Sequence, residues 1–385
     1  MRNNNIYYIG YFDTEESKYK HVISPAGSLK MRYIAETLSA CDYYVRILSL
    51  ARPICEKIKF VKSEDVAVSP GIRAFFFSFI CVNNFYLRKL SSIFQMFLFF
   101  VSVLIKLRKT DTLIVYHSLS YASLIFLLKK CIGFKLVLEV EEIYQDVKSV
   151  FLINSFFERL LFNSADAYIF PSELIEEKVN IKGLPYVIIY GSYKSIPAMN
   201  RKMADSRVHV VYSGTFDERK GGVFAAIRSA DFLNETYHIH ITGFGKKNEI
   251  EKVVKEIDRV SNRSKCRITY DGFINNIDFL PYLQQFNIGL CTQNPDDQLS
   301  SSCFPSKILQ YMANGLTVLA SRAPAVIRSR IAPDLFFYRE QTAESIAQQI
   351  RLIPSDVDTR KIVDKLDSTC KSEMKMLMNA VVNLR

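Results

Sequence analysis

The eight cysteines of this 385-residue chain include no closely spaced pair. They stand singly at Cys41, Cys55, Cys81, Cys131, Cys266, Cys291, Cys303 and Cys370, which excludes a CxxC motif and a short-range ladder of bridges. Such scatter suits a reducing compartment. The stretch from Met1 to Gly10 runs almost directly into an apolar strand and lacks the long apolar core and small-residue cleavage site of an export signal. The expected location is therefore the cytoplasm, with room for a peripheral position on the inner face of the plasma membrane. No short-period repeat, no low-complexity tract and no His/Asp/Cys cluster with ligand spacing is visible, so no metal is expected.

Acid is also missing from one long segment. Between Val66 and Thr110 there is no Asp or Glu, while Arg73, Arg88, Lys89, Lys106, Arg108 and Lys109 bracket an aromatic and aliphatic stretch. Basic residues beside apolar runs lean towards a membrane surface, with contact expected through residues 74–109. The densest run, Phe94 to Ile105, is a dozen residues, short of the roughly 20 needed to cross a bilayer. Two readings stand side by side: a buried helix of the first domain, or a helical hairpin that dips Phe75, Phe76, Phe77, Phe85, Phe97 and Phe100 into lipid.

The composition is that of a globular protein, with 49% apolar and 23% charged residues. Its length exceeds what one core usually supports and predicts two domains. A net charge of +11 calls for an anionic partner, and nucleic acid, anionic lipid and phosphorylated substrates all qualify. No nucleic-acid-binding motif accompanies the charge, so nucleic acid is not expected.

Short apolar runs alternate with helical patterns, the signature of parallel sheets with crossover helices. Strands are expected at Ile6 to Ile9, Tyr44 to Leu48, Thr112 to Tyr116, Lys135 to Val140 and Ala167 to Phe170. A loop, Ser24 to Ser28, is expected before the first helix, and helical segments in the aromatic region. The alternation restarts at Val208 to Tyr212 and continues through Tyr237 to Thr242, Ile268 to Tyr270, Ile288 to Cys291 and Thr317 to Ala320. The fold class is thus α/β, two Rossmann-like parallel-sheet domains facing across a cleft. Their expected bounds are 1–195 and 206–345, followed by C-terminal helices at 346–385 that pack back on the first domain. Ligands in such sheets bind beyond the carboxyl ends of the strands.

The strongest local signal runs from Val211 to Gly222, a strand, a glycine turn at Gly214-Thr215 and a basic pair, Arg219-Lys220, opening a helix. Amides at a helix N-terminus attract phosphate, glycine permits close approach and lysine adds a full charge. A tight turn with solvated charges is the plainer alternative. The strand-then-glycine device recurs at Thr242-Gly243-Phe244-Gly245. Further on lies Pro305-Ser306-Lys307-Ile308-Leu309-Gln310-Tyr311-Met312-Ala313-Asn314-Gly315, with proline suited to a helix start and glycine to the turn after it.

Through these elements, together with Tyr270-Asp271-Gly272-Phe273, the chain resembles the family 4 retaining glycosyltransferases of GT-B fold, of the bacterial polysaccharide-biosynthesis type. The resemblance implies transfer of a sugar from a nucleoside diphosphate sugar to a lipid-linked or cell-surface glycan such as lipopolysaccharide or capsule, with no cofactor. It implies that Lys220 contacts the diphosphate, that the amides around Gly243, Phe244 and Gly245 line the base pocket, and that backbone near Pro305, Ser306 and Lys307 meets the phosphates. In the first domain the segment from Ser24 to Tyr33 resembles the loop that faces the donor phosphates, where Gly27 allows approach and Lys30 or Arg32 reaches an anion. His117 matches a position near the donor sugar. Glu139, Glu141 and Glu142 follow a strand, where carboxylates orient an acceptor hydroxyl or act as base, or else serve as helix N-terminal charges. Glu141 and Glu142 are the leading candidates.

Three positions depart from the family pattern. Thr215 stands where the family commonly has arginine, and Ser302 and Gln310 stand where it has two glutamates. Gln310 still offers a donor and an acceptor to a ribose, without the charge. Either Ser302 and its neighbours meet the sugar through backbone and hydroxyl, or donor binding is weakened. A GT-B-shaped scaffold that has lost donor chemistry is the rival reading.

Overall fold

A computed structural model describes residues 5–144, 151–199, 203–216, 222–295, 302–354 and 357–383. The chain divides into two units: Met1–Pro171 with Ile175–Ser192 and Ser368–Arg385, and Ser172–Leu174 with Tyr193–Asp367. The last 18 residues thus belong to the first unit, while 346–367 belong to the second. Lys135 Nζ donates to the Val381 carbonyl at 3.0 Å, one of the bonds that hold the returning helix to the first sheet.

The first unit is built on an eight-stranded sheet. Its strands are β1 (Asn5–Gly10), β2 (Tyr44–Ser49), β3 (Glu64–Ser69), β4 (Ile72–Phe76), β5 (Thr112–Tyr116), β6 (Lys135–Glu139), β7 (Ala167–Phe170) and β8 (Tyr186–Ile188). They lie in the order β8-β7-β6-β5-β1-β2-β4-β3, parallel except for the β3–β4 hairpin. Buried runs such as Leu113-Ile114-Val115 and Leu136-Val137-Leu138 read as continuous apolar segments because helices cover both faces of a parallel sheet.

The second unit holds six strands: β9 (Val208–Thr215), β10 (Tyr237–Phe244), β11 (Arg267–Gly272), β12 (Ile288–Cys291), β13 (Thr317–Ala320) and β14 (Phe336–Phe337). Their order, β11-β10-β9-β12-β13-β14, is that of a doubly wound dinucleotide-type sheet, with the reversal between β9 and β12. Val210, Tyr212, Ile239, Ile241 and Ile268 form one side of its core with Val253 and Ile257 of the helix Lys247–Ser261.

Three expectations change. The first helix, α1 (Pro25–Ala40), begins within the anticipated loop: Ser24 caps it by accepting from the Gly27 N–H, and Pro25 starts it. The aromatic region opens with strands, so Phe76 and Phe77 are buried in the first unit. A Pro70-Gly71 turn, with Gly71 at φ 78°, makes the β3–β4 hairpin possible. A single helix of 22 residues, α2 (Phe85–Lys106), follows and contains the dense apolar run Phe94 to Ile105. Cys55 and Cys81 are also joined in a disulfide, with Cα atoms 6.1 Å apart, where the spacing had suggested separate thiols.

Only a narrow stripe of α2 is buried, Ser91, Gln95, Phe99 and Val103, four residues apart and thus on one face. Length and composition alone would let this helix cross a bilayer. Leu90, Ile93, Phe97 and Ile105 are exposed, so neither the buried-helix reading nor the helical hairpin describes it.

The helix after β12, α3 (Ser306–Ala313), is tied to β9 by one side chain. Tyr311, fully buried, accepts from the Ser213 N–H at 2.8 Å and shares a second bond with the Ser213 hydroxyl at 3.0 Å. Tyr311→Phe leaves the Ser213 amide without that partner and should cost about 1–3 kcal/mol, the penalty for an unsatisfied buried donor. Urea unfolding of the variant measures it; a change within about 0.5 kcal/mol would show that the bond adds nothing.

Candidate functional site

In the second unit the carboxyl ends of β9 and β10, beside the point of reversal, come together on glycine. Gly214 on β9 pairs with Gly243 on β10, at φ 158° and 151°. A Cβ added to Gly243 would sit 1.9 Å from the Gly214 carbonyl oxygen, so no other residue fits. The strands stay paired beyond this point, Phe216 N–H donating to the Phe244 carbonyl at 2.8 Å.

Lys307, on the first turn of α3, aims at the same place. Its Nζ lies 4.4 Å from the Tyr212 ring centroid, and a Cβ on Gly214 would come within 2.9 Å of it. The first N–H groups of a helix have no partner inside the helix, and α3 begins at Ser306, which is exposed. A cation, a side-chain-free strand end and a helix start therefore converge, the combination that suits an anion. Nearby, Cys291 at the end of β12 is buried, and burial pushes its thiol up to about 11 despite the opposing pull of Lys307.

Thr215 ends β9 and is exposed; Phe244 is exposed and meets the exposed Phe273 edge-on, centroids 5.8 Å apart. Phe273 was not expected in the site; its signal was an aromatic directly after the Gly272 turn. Gly245 packs tightly, a Cβ there lying 3.1 Å from the Phe216 carbonyl oxygen. Pro305 caps α3. Ser302 is buried and its carbonyl accepts from Ser172 Oγ at 2.6 Å, which commits that backbone oxygen. Gln310 is half-buried on α3. Arg219 and Lys220 lie outside the described residues.

The first unit has its own polar cluster, at the ends of β5 and β6. Tyr8 on β1 donates to Glu139, the last residue of β6, and both are fully buried. Burial, with the charge of Glu141 beside it, pushes the Glu139 carboxyl up to about 8, against the pull of Lys30. Lys30 forms an ion pair with Glu141 and is itself 4% exposed, so the lysine expected to reach an anion is held by a carboxylate of its own unit. Arg32 bonds Thr14 Oγ1 at 2.7 Å. Gly27 is half-buried, and a Cβ there would lie 2.9 Å from the Tyr116 hydroxyl.

His117 follows β5 and is buried between Tyr144 and Phe162, with Nε2 3.3 Å from Glu158 Oε1. Burial lowers its pKa to about 4, so the ring is neutral near pH 7. Glu142 is half-buried beside it. Lys30, Glu139 and Glu141 are thus brought together, whereas His117 joins Glu158, which was not expected and whose signal, one acid on an amphipathic helix, is too common to notice.

One cluster escaped the sequence reading altogether. His209, His238 and His240 lie side by side on β9 and β10, all buried. The recoverable signal was His-x-His, two residues apart in a strand and so on one face.

No protein-family model and no curated protein matches the chain in sequence. Solved structures do match. The trehalose-6-phosphate protein from E. coli bound with UDP-2-fluoro glucose has TM-score 0.65 and 9% identity, covering 99% of both chains. Anabaena HepE in complex with UDP has TM-score 0.63 and 11% identity, over 99% of this chain and all of that one (100%). The α,α-trehalose 6-phosphate synthase from Burkholderia multivorans has TM-score 0.63 and 8% identity, over 98% of this chain and 96% of its own. The fold is therefore GT-B, two parallel-sheet α/β units of the kind those glycosyltransferases share. At such identities the likeness is one of fold.

Glu139 yields a pH prediction. A carboxyl at about 8 in the folded state and about 4.3 unfolded holds a proton on folding between those values. Its contribution to stability therefore falls as pH rises through that window, by up to about 1.4 kcal/mol per unit. Glu139→Gln removes this slope. Urea unfolding from pH 5 to 8 should show the variant gaining on the wild type as pH rises; parallel curves would refute the raised carboxyl.

Proposed function

We propose that this chain is a glycosyltransferase that moves a sugar from a nucleoside diphosphate sugar, with retention, to a hydroxyl of a lipid-linked or cell-surface glycan in polysaccharide assembly, at the cytoplasmic face of the membrane. The observation that carries the reading is the convergence of Gly214, Gly243, Lys307 and the start of α3 at the reversal of a dinucleotide-type sheet. In transfer, the bond from the anomeric carbon to the diphosphate breaks and charge builds on the leaving phosphate. Lys307, Lys220, Arg219 and the amides around Pro305 and Ser306 would stabilise that charge. Phe244 and Phe273 would stack on the base, with backbone at Gly245 nearby, and Gln310 would bond the ribose. Thr215 and Ser302 would flank the donor with uncharged groups. That the solved relatives were found with UDP and UDP-glucose favours a uridine donor.

The first unit would serve the acceptor. Glu141 and Glu142 would orient its hydroxyl and take its proton, with Lys30 ion-paired to Glu141 and Gly27 leaving backbone accessible. His117 would keep the β5 end in place as a neutral ring beside the donor sugar. No metal or cofactor enters this scheme.

A panel of nucleotides tests the reading by thermal unfolding. UDP at a hundredfold excess over its Kd should stabilise the protein by about 3 kcal/mol. Lys307→Ala and Lys220→Ala should each weaken UDP about 10–100-fold, the loss of a charge-assisted bond, and lower sugar release from the donor that binds. The rival, a scaffold without donor chemistry, rests on Thr215, Ser302 and Gln310; no shift with any nucleoside diphosphate would favour it.

Membrane attachment is proposed through α2, where Leu90, Ile93 and Phe97 are exposed on a helix that carries Arg88 and Lys89 in its first turns and Lys106 at its end. Leu90→Glu, Ile93→Glu and Phe97→Glu combined should reduce co-sedimentation with phosphatidylglycerol vesicles at least about tenfold, given about 1.5–3 kcal/mol for each buried apolar side chain. Equal sedimentation of wild type and variant would sink the assignment.

A further inference from the structure

Three of the chain's five histidines share one face of the second sheet. His209 is opposite His238 in the β9–β10 register, and His240 lies two residues further along β10. One nitrogen of each falls within 4.8 Å of the others. The three residues are only 3–5% exposed. The opposite face of the same strands carries the apolar core, so the histidines are a separate buried polar layer.

The outer nitrogens are all engaged. His209 Nε2 meets Asp205 Oδ1 at 2.6 Å, His240 Nδ1 meets Asp271 Oδ2 at 2.8 Å, and His238 Nε2 meets Thr269 Oγ1 at 3.1 Å. Asp271 is itself fixed, accepting from Tyr282 at 2.7 Å and from Thr269 at 2.8 Å. Ionised carboxylates only accept, so in neutral rings the protons sit on His209 Nε2 and His240 Nδ1. The inner nitrogens, His209 Nδ1 and His240 Nε2, then face each other 3.1 Å apart with two lone pairs and no proton between them. That is unfavourable unless a cation lies there. The spacing is close to that of two ligands bound to one ion at about 2.0–2.1 Å, and a carboxylate behind each ring is the usual support of a metal-bound imidazole.

We propose that His209, His238 and His240 bind one borderline divalent transition-metal ion, zinc foremost, with Asp205, Asp271 and Thr269 orienting the rings. Three neutral imidazoles suit zinc ahead of the oxygen-seeking magnesium or calcium, and leave a fourth position for water. His209 is five residues before Gly214, about 16 Å along a strand, so this ion would not touch the strand-end glycines. Its effect would be to clamp the beginnings of β9 and β10, and through Asp205 the segment that leads into them.

The test uses the whole protein, stripped with a chelator and dialysed. Zinc titrated by calorimetry should bind at one equivalent per chain and raise the unfolding temperature. Cobalt should give the visible bands of a tetrahedral nitrogen and oxygen site, without the thiolate charge-transfer absorption that cysteine ligands produce. His240→Ala should abolish binding, and Asp271→Asn should weaken it about 10–100-fold. If His240→Ala fails to fold, the wild-type cobalt spectrum and Asp271→Asn decide. Folded wild-type protein that binds neither ion would overturn the proposal; so would cobalt bound with thiolate bands, or an unchanged affinity in Asp271→Asn and His240→Ala. None of these readouts depends on sugar transfer.

Discussion

The close approach of β9 and β10 at Gly214 and Gly243 is the constraint on which the second unit depends. Two backbones come so near that even a methyl group on Gly243 would overlap the opposite carbonyl oxygen. Because no side chain fills the space above the strand ends, Lys307 Nζ can lie over Tyr212 and beside Gly214. Tyr311, one turn further along α3, fastens the helix to Ser213, the residue before the glycine. The same few atoms that make the turn possible thus set the direction of the helix start and the position of its cation.

The first unit is organised by a different constraint, the cost of burying charge. Lys30, Glu139 and Glu158 lie inside, where an unpaired ion would be strongly unfavourable. Each has a compensating neighbour: Glu141 pairs with Lys30, Tyr8 donates to Glu139, and the Tyr144 N–H donates to Glu158 at 3.3 Å. Glu139 also takes the cheaper route of holding a proton, because burial and Glu141 both disfavour its charge. An ion pair and a neutral acid are thus placed within reach of one another, an arrangement suited to proton transfer.

Polar and apolar residues reverse their ordinary places in two regions. On the sheet face of β9 and β10, imidazoles replace the aliphatic residues that a buried strand normally carries; Asp205, Thr269 and Asp271 hold their outer nitrogens, while the inner nitrogens of His209 and His240 face each other. On α2, large apolar residues lie outward while Ser91 and Gln95 turn inward, Ser91 accepting from the Ile80 N–H at 2.9 Å. Both departures from the usual pattern involve stability given up locally, which is where partners, an ion in one case and a lipid surface in the other, are to be sought.

The alternation of apolar runs and helical patterns was enough to determine two parallel-sheet units, because period and apolar content report burial on both sheet faces. The glycines at the ends of β9 and β10 were legible for a similar reason: strand, glycine, helix is a local pattern. The β3–β4 hairpin was obscured by the triple phenylalanine that follows Ala74, although Pro70-Gly71 marked its turn. Roles that depend on partners distant in the chain were not legible. Lys30 and Glu141 are 111 residues apart, and His209 and His240 are 31 apart. Residue type and spacing determine what a side chain is able to do; only the packing of sheets and helices decides which charges are buried together, and hence that Lys30 is held by Glu141 and that three histidines converge on one point.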